Sequence, residues 1–297
     1  MFASSSGAQL AAFFPFGAGY LGGVRVAVGD VNGDGVPDVI VGAGPGAAPH
    51  VKVFDGRTFQ EIASFFAYDA GFHGGVFVAA GDVNGDGKAD IITGADAGAP
   101  GGHVKVFDAV TRTEVRSFFA FPGFAGGVRV AAGDVNGDGK ADLITGAGPG
   151  AGAHVKVFDG FSGAELASFF AYGNFAGGVY VAAGDINGDG RADVTTGAGP
   201  GAGPHVKVFN GPGGSELASL FAFGNFTGGV RVGTADINGD GLADVLTGTG
   251  SGLVRFAVSQ AGTSPPVKVF QSPLAQEVPS PFALDALFAG GLFVAGF

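Results

Sequence analysis

The chain has 297 residues with 60 Gly, 30 Phe, no Cys, no Trp and a formal net charge of −11. Its apolar fraction of 46% supplies a packed core, and 14% charged residues are too few for a charged disordered chain. The acidic balance excludes a sequence-independent nucleic-acid binder, and zero Cys excludes disulfides, thiolate chemistry and zinc–thiolate sites.

At the N-terminus, Met1 to Tyr20 holds no Lys or Arg, so no secretory leader is evident, and Leu10-Ala11-Ala12-Phe13-Phe14 stops at Pro15. No run is long and uninterrupted enough to span a bilayer, so membrane insertion is not expected. Residues Phe2 to Phe14 match Phe158 to Phe170, which places the start of the chain inside a repeating unit. From Gly22 the repeat runs in full. The first aspartates of its acidic loops, Asp30, Asp82, Asp134, Asp185 and Asp236, are spaced by 52, 52, 51 and 51 residues.

Each unit opens on Gly-Gly and an alternating segment such as Val24-Arg25-Val26, followed by the acidic loop and an apolar run such as Val39-Ile40-Val41. A Gly/Pro turn then leads to His50-Val51-Lys52-Val53-Phe54, and the unit ends on Ser64-Phe65-Phe66-Ala67-Tyr68. Four short Val- and Phe-rich segments per unit, with no sustained helical period, predict an all-β chain built from four-stranded blades. Blades repeated at this length predict a β-propeller. The units are residues 22–73, 74–125, 126–176, 177–227 and 228–289 of one domain. Residues 1–21 and 290–297, where Gly290-Gly291-Leu292-Phe293-Val294 repeats the opening strand, are expected to close a sixth blade. The Phe pairs Phe65-Phe66, Phe118-Phe119 and Phe169-Phe170 are expected to form core between blades.

In the first loop Asp30, Asn32, Asp34, Val36 and Asp38 hold places 1, 3, 5, 7 and 9. Three carboxylates, an amide oxygen and the place-7 carbonyl make an all-oxygen donor set. That set suits Ca²⁺, and the place-6 glycine matches the tight turn of an EF-hand loop. Five such loops would take about five Ca²⁺ ions, bringing −11 to −1. The loop, the following apolar strand and the Gly-Ala-Gly-Pro turns at Gly42–Pro45, Gly146–Pro149 and Gly197–Pro200 resemble the FG-GAP/VCBS repeats of integrin α-chain propellers and bacterial surface proteins. The resemblance implies calcium held by Asp82, Asn84, Asp86, Lys88 and Asp90, and by Asp134, Asn136, Asp138, Lys140 and Asp142. It implies the same for Asp185, Asn187, Asp189, Arg191 and Asp193, and for Asp236, Asn238, Asp240, Leu242 and Asp244, with place 7 acting through its carbonyl. A dockerin module shares the loop but needs an acidic residue at place 12, where this chain has Val41, Thr93, Thr145, Thr196 and Thr247.

His50, His103, His154 and His205 recur singly in four of the five units, with Pro266 at that place in the fifth, which reads as a strand-entry role rather than a catalytic cluster. Lys52, Lys105, Lys156, Lys207 and Lys268 are expected to form a solvated or channel-facing row, with an anion-binding ring as the minority reading. The Gly-rich turns lack the Lys-Ser/Thr of a phosphate loop, and no nucleophile elbow or zincin motif occurs. Ser251 to Ser264 breaks the repeat and is the sequence's best single candidate for partner contact.

The expected function is a calcium-binding, non-enzymatic adhesion, recognition or structural module at or outside the cell surface. Its expected ligand is a protein or a glycan, and the chain is expected to be monomeric or part of a longer surface protein. The alternative is a carbohydrate-binding or carbohydrate-active propeller, a lyase or hydrolase, for which one unsymmetrical cluster of ionisable residues would be the sign.

Overall fold

The computed structural model describes residues 11–224, 226–250, 267–272 and 276–278. Within them lie five antiparallel four-stranded sheets, each made of consecutive strands. The first holds β1 (Val24–Gly29), β2 (Asp38–Ala43), β3 (His50–Phe54) and β4 (Glu61–Phe66). The second holds β5 (Val76–Gly81), β6 (Asp90–Ala95), β7 (His103–Phe107) and β8 (Glu114–Phe119). The third holds β9 (Val128–Gly133), β10 (Asp142–Ala147), β11 (His154–Phe158) and β12 (Glu165–Phe170). The fourth holds β13 (Val179–Gly184), β14 (Asp193–Ala198), β15 (His205–Phe209) and β16 (Glu216–Phe221). The fifth holds β17 (Val230–Ala235), β18 (Asp244–Thr249), β19 (Lys268–Gln271) and β20 (Gln276–Val278). Among the described residues the only helical element is a single 3₁₀ turn at Pro100–Gly102.

These sheets are the blades of a propeller. β1, β5, β9, β13 and β17 adjoin one another in sequence order, so the first strand of each blade is innermost. The core lies in layers between blades rather than at one centre. Ile40, Val51 and Val53 of the first blade pack with Val76, Val78 and Ile91 of the second, and each of the six is less than 9% exposed. The same layer recurs between the later blades. A strand-2 glycine sets the spacing. A Cβ on Gly42 would lie 2.5 Å from the Val76 carbonyl oxygen, and one on Gly146 would lie 2.7 Å from that of Val179. Only a residue without a side chain lets the next inner strand approach so closely.

The outer edge differs from expectation in two ways. A bulge repeats where strand 3 meets strand 4: Val53 pairs with Ala63 and Phe54 with Glu61, passing over Ile62. The Phe pair of strand 4 therefore splits its roles. Phe65 reaches Phe107 of the next blade at 4.9 Å between ring centroids, as expected of inter-blade core. Its partner Phe66 is 52% exposed and packs on His50 of its own blade. Phe119, Phe170 and Phe221 repeat that exposure, because the outermost strand has a neighbouring blade on one face only.

Residues 11–21 form no strand, yet they dock on the first blade as the end of a preceding one would. Phe13 meets Phe54 at 4.8 Å and Phe16 meets His50 at 5.5 Å, repeating Phe65 on Phe107 and Tyr68 on His103. The remaining contributors to the expected sixth blade, residues 1–10 and 290–297, lie outside the described residues, as does Ser251 to Ser264.

Candidate metal centres

Each acidic loop joins the innermost strand to the second, and the strand 3–4 turn of the same blade emerges at the same end of the sheet. The loop is shaped by its own aspartates. Across the five copies the place-1 carboxylate accepts the place-4 N–H at 2.6–2.7 Å and the place-5 N–H at 3.1–3.2 Å through Oδ1. Its Oδ2 accepts the place-6 N–H at 2.8–2.9 Å. The place-3 Asn Oδ1 accepts the place-5 N–H at 2.8 Å in all five. The place-5 Asp Oδ1 then accepts the place-7 N–H. Glycines at places 4 and 6, such as Gly33 and Gly35 with φ of 78° and 82°, supply the left-handed conformations this winding requires.

The place-9 aspartates stand apart from the other two carboxylates. Asp38, Asp90, Asp142, Asp193 and Asp244 are at most 1% exposed. Each accepts the place-2 N–H through Oδ2 at 3.0–3.1 Å. Each also accepts an N–H of the strand 3–4 turn through Oδ1, from Gly56, Ala109, Gly160, Gly211 and Ser272 in turn. Burial raises the pKa of all five, to about 6 at Asp90 and Asp142, against the lowering effect of those N–H donors. The ninth place thus ties the loop to the blade from behind.

Three aspartates not singled out from the sequence also belong to the site. Asp55, Asp108 and Asp159, each following strand 3, accept the amide of Asn32, Asn84 and Asn136 at 3.1, 3.4 and 3.1 Å. Hydrogen bonds from their own turns, first from the Thr58, Thr111 and Ser162 backbones, hold their pKa values down. The signal was the repeated Phe-Asp pair at the end of strand 3. The loops are also joined to one another. The place-8 N–H of each following loop donates to the place-1 carbonyl: Ala89 to Asp30, Ala141 to Asp82, Ala192 to Asp134 and Ala243 to Asp185. The place-7 side chain crosses with it. A Cβ on Gly33 would lie 2.8 Å from Cε of Lys88, and Lys140 and Arg191 cover Gly85 and Gly137 in the same way. A cation therefore lies against three of the acidic loops, while Leu242 takes that place over Gly188.

The donor set fits a hard divalent ion in kind: carboxylate and amide oxygens wound on an EF-hand-like turn, with no imidazole or thiolate among them. Among the described residues, no three His, Cys, Asp or Glu side chains converge as a ready-made cage. The first- and fifth-place carboxylates are the accessible ones.

Two kinds of family profile match the chain. The FG-GAP-like repeat matches residues 30–93 and 185–247, and the FG-GAP repeat matches residues 126–161, together just over half of the chain. The chain belongs to the FG-GAP repeat family. Its similarity to solved structures is low in identity. The exotype rhamnogalacturonan lyase YesX is 14% identical at a TM-score of 0.47, over 90% of this chain and 49% of that one. The rhamnogalacturonan lyase YesW is 15% identical at 0.47, over 87% and 50%. The V. cholerae biofilm matrix protein Bap1 is 20% identical at 0.45, over 91% and 40%. This FG-GAP chain thus spans about half the length of the first two structures it resembles.

The remaining candidates find structural places. His50, His103, His154 and His205 each share a hydrogen bond of 2.7–2.8 Å with Ser64, Ser117, Ser168 and Ser219 of the adjoining strand. Each also packs against the exposed Phe of strand 4. The lysine row is partly solvated and paired, and it does not face the channel. It lies on the third strand of each blade, where Lys52, Lys105, Lys156, Lys207 and Lys268 pair with Glu61, Glu114, Glu165, Glu216 and Glu277 at 2.6–2.7 Å. The strand 3–4 register sets each of these Glu residues opposite the strand-3 Phe two residues after its Lys, through a bulge in the first four blades and without one in the fifth.

Proposed function

We propose that this FG-GAP propeller is a calcium-dependent, non-enzymatic recognition or structural module working outside the cell. The observation that carries the proposal is the fivefold repetition of one all-oxygen loop with one hydrogen-bond winding. An ion at such a loop would be held by the place-1 and place-5 carboxylates, the place-3 amide oxygen and the place-7 carbonyl, with the place-9 carboxylate supporting them. Bound calcium would neutralise the clustered charge and brace the loop against the strand 3–4 turn. Extracellular calcium modules typically bind at about 10⁻⁴–10⁻³ M, which suits a calcium-rich outside environment. A non-enzymatic role is supported by the uniformity of the blades: the His–Ser pairs occur singly in each of the first four blades on outer strands, and no single blade gathers them. The partner is expected to be a protein or a glycan.

Calorimetric titration of the full chain with calcium tests this. At free ion roughly ten times the dissociation constant, each site contributes about 1.4 kcal/mol. Chelator should therefore lower the melting temperature, magnesium should restore it poorly, and Asp134→Ala should bind one ion fewer. No binding at millimolar calcium, or melting indifferent to chelator, would refute the proposal. A matrix-protein and glycan array with and without chelator then identifies the partner class.

A further inference from the structure

The five acidic loops share one winding but not one environment for the amide at place 3. In every copy its Oδ1 accepts the place-5 N–H, so what varies is the destination of Nδ2, which carries two donors. In the first three blades an aspartate follows strand 3, and its Oδ2 accepts from Nδ2: Asp55 from Asn32 at 3.1 Å, Asp108 from Asn84 at 3.4 Å and Asp159 from Asn136 at 3.1 Å. The fourth and fifth blades have Asn210 and Gln271 at that place. There Nδ2 donates to the place-5 carboxylate, at 3.2 Å from Asn187 to Asp189 and at 2.8 Å from Asn238 to Asp240. In the second and third blades that inner contact lengthens to 3.4 Å, and in the first blade none forms among the described residues. The place-9 carboxylate adds contacts of 3.3–3.4 Å in the first, third and fourth blades, and so does not separate the two groups.

The destination matters because the place-5 carboxylate is one of the two accessible ones. An N–H donated to its Oδ2 occupies an oxygen that a cation would take, and it turns the positive edge of the amide inward. A carboxylate outside the loop removes both effects. The same side chain shapes the strand 3–4 turn with its other oxygen: Oδ1 of Asp55 accepts the Thr58 N–H at 2.7 Å, Oδ1 of Asp108 accepts the Thr111 N–H at 2.7 Å, and Oδ1 of Asp159 accepts the Ser162 N–H. Oδ2 is left for the amide. In the first blade Arg57 pairs with Asp34 Oδ2 at 3.3 Å, so the effect is clearest in the third loop. Groups that orient a metal ligand from behind typically change affinity by about 10–100-fold.

We infer that Asp55, Asp108 and Asp159 are positioning residues for calcium: each holds the place-3 amide N–H outside the loop and leaves the place-5 carboxylate to the ion. The inference rests on the calcium reading of these loops, and it divides them into three that carry this support and two that do not.

The full chain, isotopically labelled, is titrated with calcium and followed by NMR. The backbone amides of Gly137 and Gly139 report the third loop, and those of Gly85 and Gly87 report the second as a reference. Asp159→Asn keeps an oxygen for the turn but puts an N–H donor where Oδ2 accepted. It should weaken calcium at the third loop by about tenfold or more and leave the second within about twofold. With Asn136→Asp, place 3 has no amide N–H to direct, so Asp159→Asn should no longer weaken binding. A role confined to the turn would weaken it equally in both backgrounds. The reverse variant Asn210→Asp, which removes no carboxylate, should tighten the fourth loop, followed at Gly188 and Gly190. The inference is overturned if Asp159→Asn leaves the third loop unchanged, or if it weakens binding equally with and without Asn136→Asp. Should Asp159→Asn not fold, a fourth loop that Asn210→Asp fails to tighten overturns it instead. If no loop of the wild type responds to millimolar calcium, the calcium reading itself fails and takes this inference with it.

Discussion

Replacing Asp96 by Ala is a direct measure of what its ion pair with Arg25 contributes. The side chains of Arg25 and Asp96 are 9% and 14% exposed and meet at 2.6 Å. Breaking a buried pair from one side costs about 3–5 kcal/mol, because the partner's charge stays in a poor solvent. Arg25 keeps its stacking on Phe77 at 4.8 Å, so the loss should fall at the lower end, about 3 kcal/mol. The hydrogen bond from the Ala97 N–H to Asp96 is in an exposed turn and adds little. Removing both charges in Arg25→Met/Asp96→Ala should return stability to within ~1 kcal/mol of wild type, a coupling of about 2–3 kcal/mol. Urea unfolding followed by linear extrapolation measures all three variants. If Asp96→Ala costs less than ~0.5 kcal/mol, or the double variant is as unstable as the single losses added together, the pair is not a buried, coupled unit.

The repeat also supplies its own substitution series. The Tyr68 hydroxyl donates toward the carbonyls of Thr93 and His103 in the next blade at 3.0 and 2.9 Å, whereas the same place in the second blade is Phe121, on His154. Tyr68→Phe should cost about 0.5–1.5 kcal/mol and Phe121→Tyr should recover a similar amount; thermal melting showing the opposite sign for either would reject the inter-blade clamp. Burial lowers the pKa of His50, His103, His154 and His205. The folded chain therefore binds fewer protons there than the unfolded chain does. Each imidazole contributes stability that is present above a pH of about 6.5 and lost as pH falls toward its lowered folded value. His154→Gln should make the melting temperature less sensitive to acidification in that window, and an unchanged slope would reject the assignment.

The blades were legible because a 51–52-residue period combined with four apolar segments leaves few alternatives, and the five loops because Asp, Asn and Gly at fixed places dictate a turn. The segment ends were less so: Ala67 and Tyr68 were expected in the fourth strand, which stops at Phe66. Period-2 alternation says that Lys52 and Val53 point to opposite faces, but not which of four strands lies inside. Hence the lysine row could be read toward the channel, while Arg25, Arg129 and Arg231, which do meet around the axis, passed as ordinary members of an alternating strand. Their signal lay between units: the neighbouring valines recur while the residue between them changes from Arg to Phe to Arg to Tyr to Arg.

That variable place has an architectural consequence. Val76, Val128, Val179 and Val230 repeat the inter-blade contact, and glycines at Gly42, Gly94, Gly146 and Gly197 receive it, so this part of the seam is the same between each pair of described neighbours. Exchanging one whole unit for another would keep the valine-on-glycine contact of each seam while changing the residue that the unit presents at the hub. The chemistry at the centre of the wheel is therefore editable one segment at a time on a common valine–glycine seam.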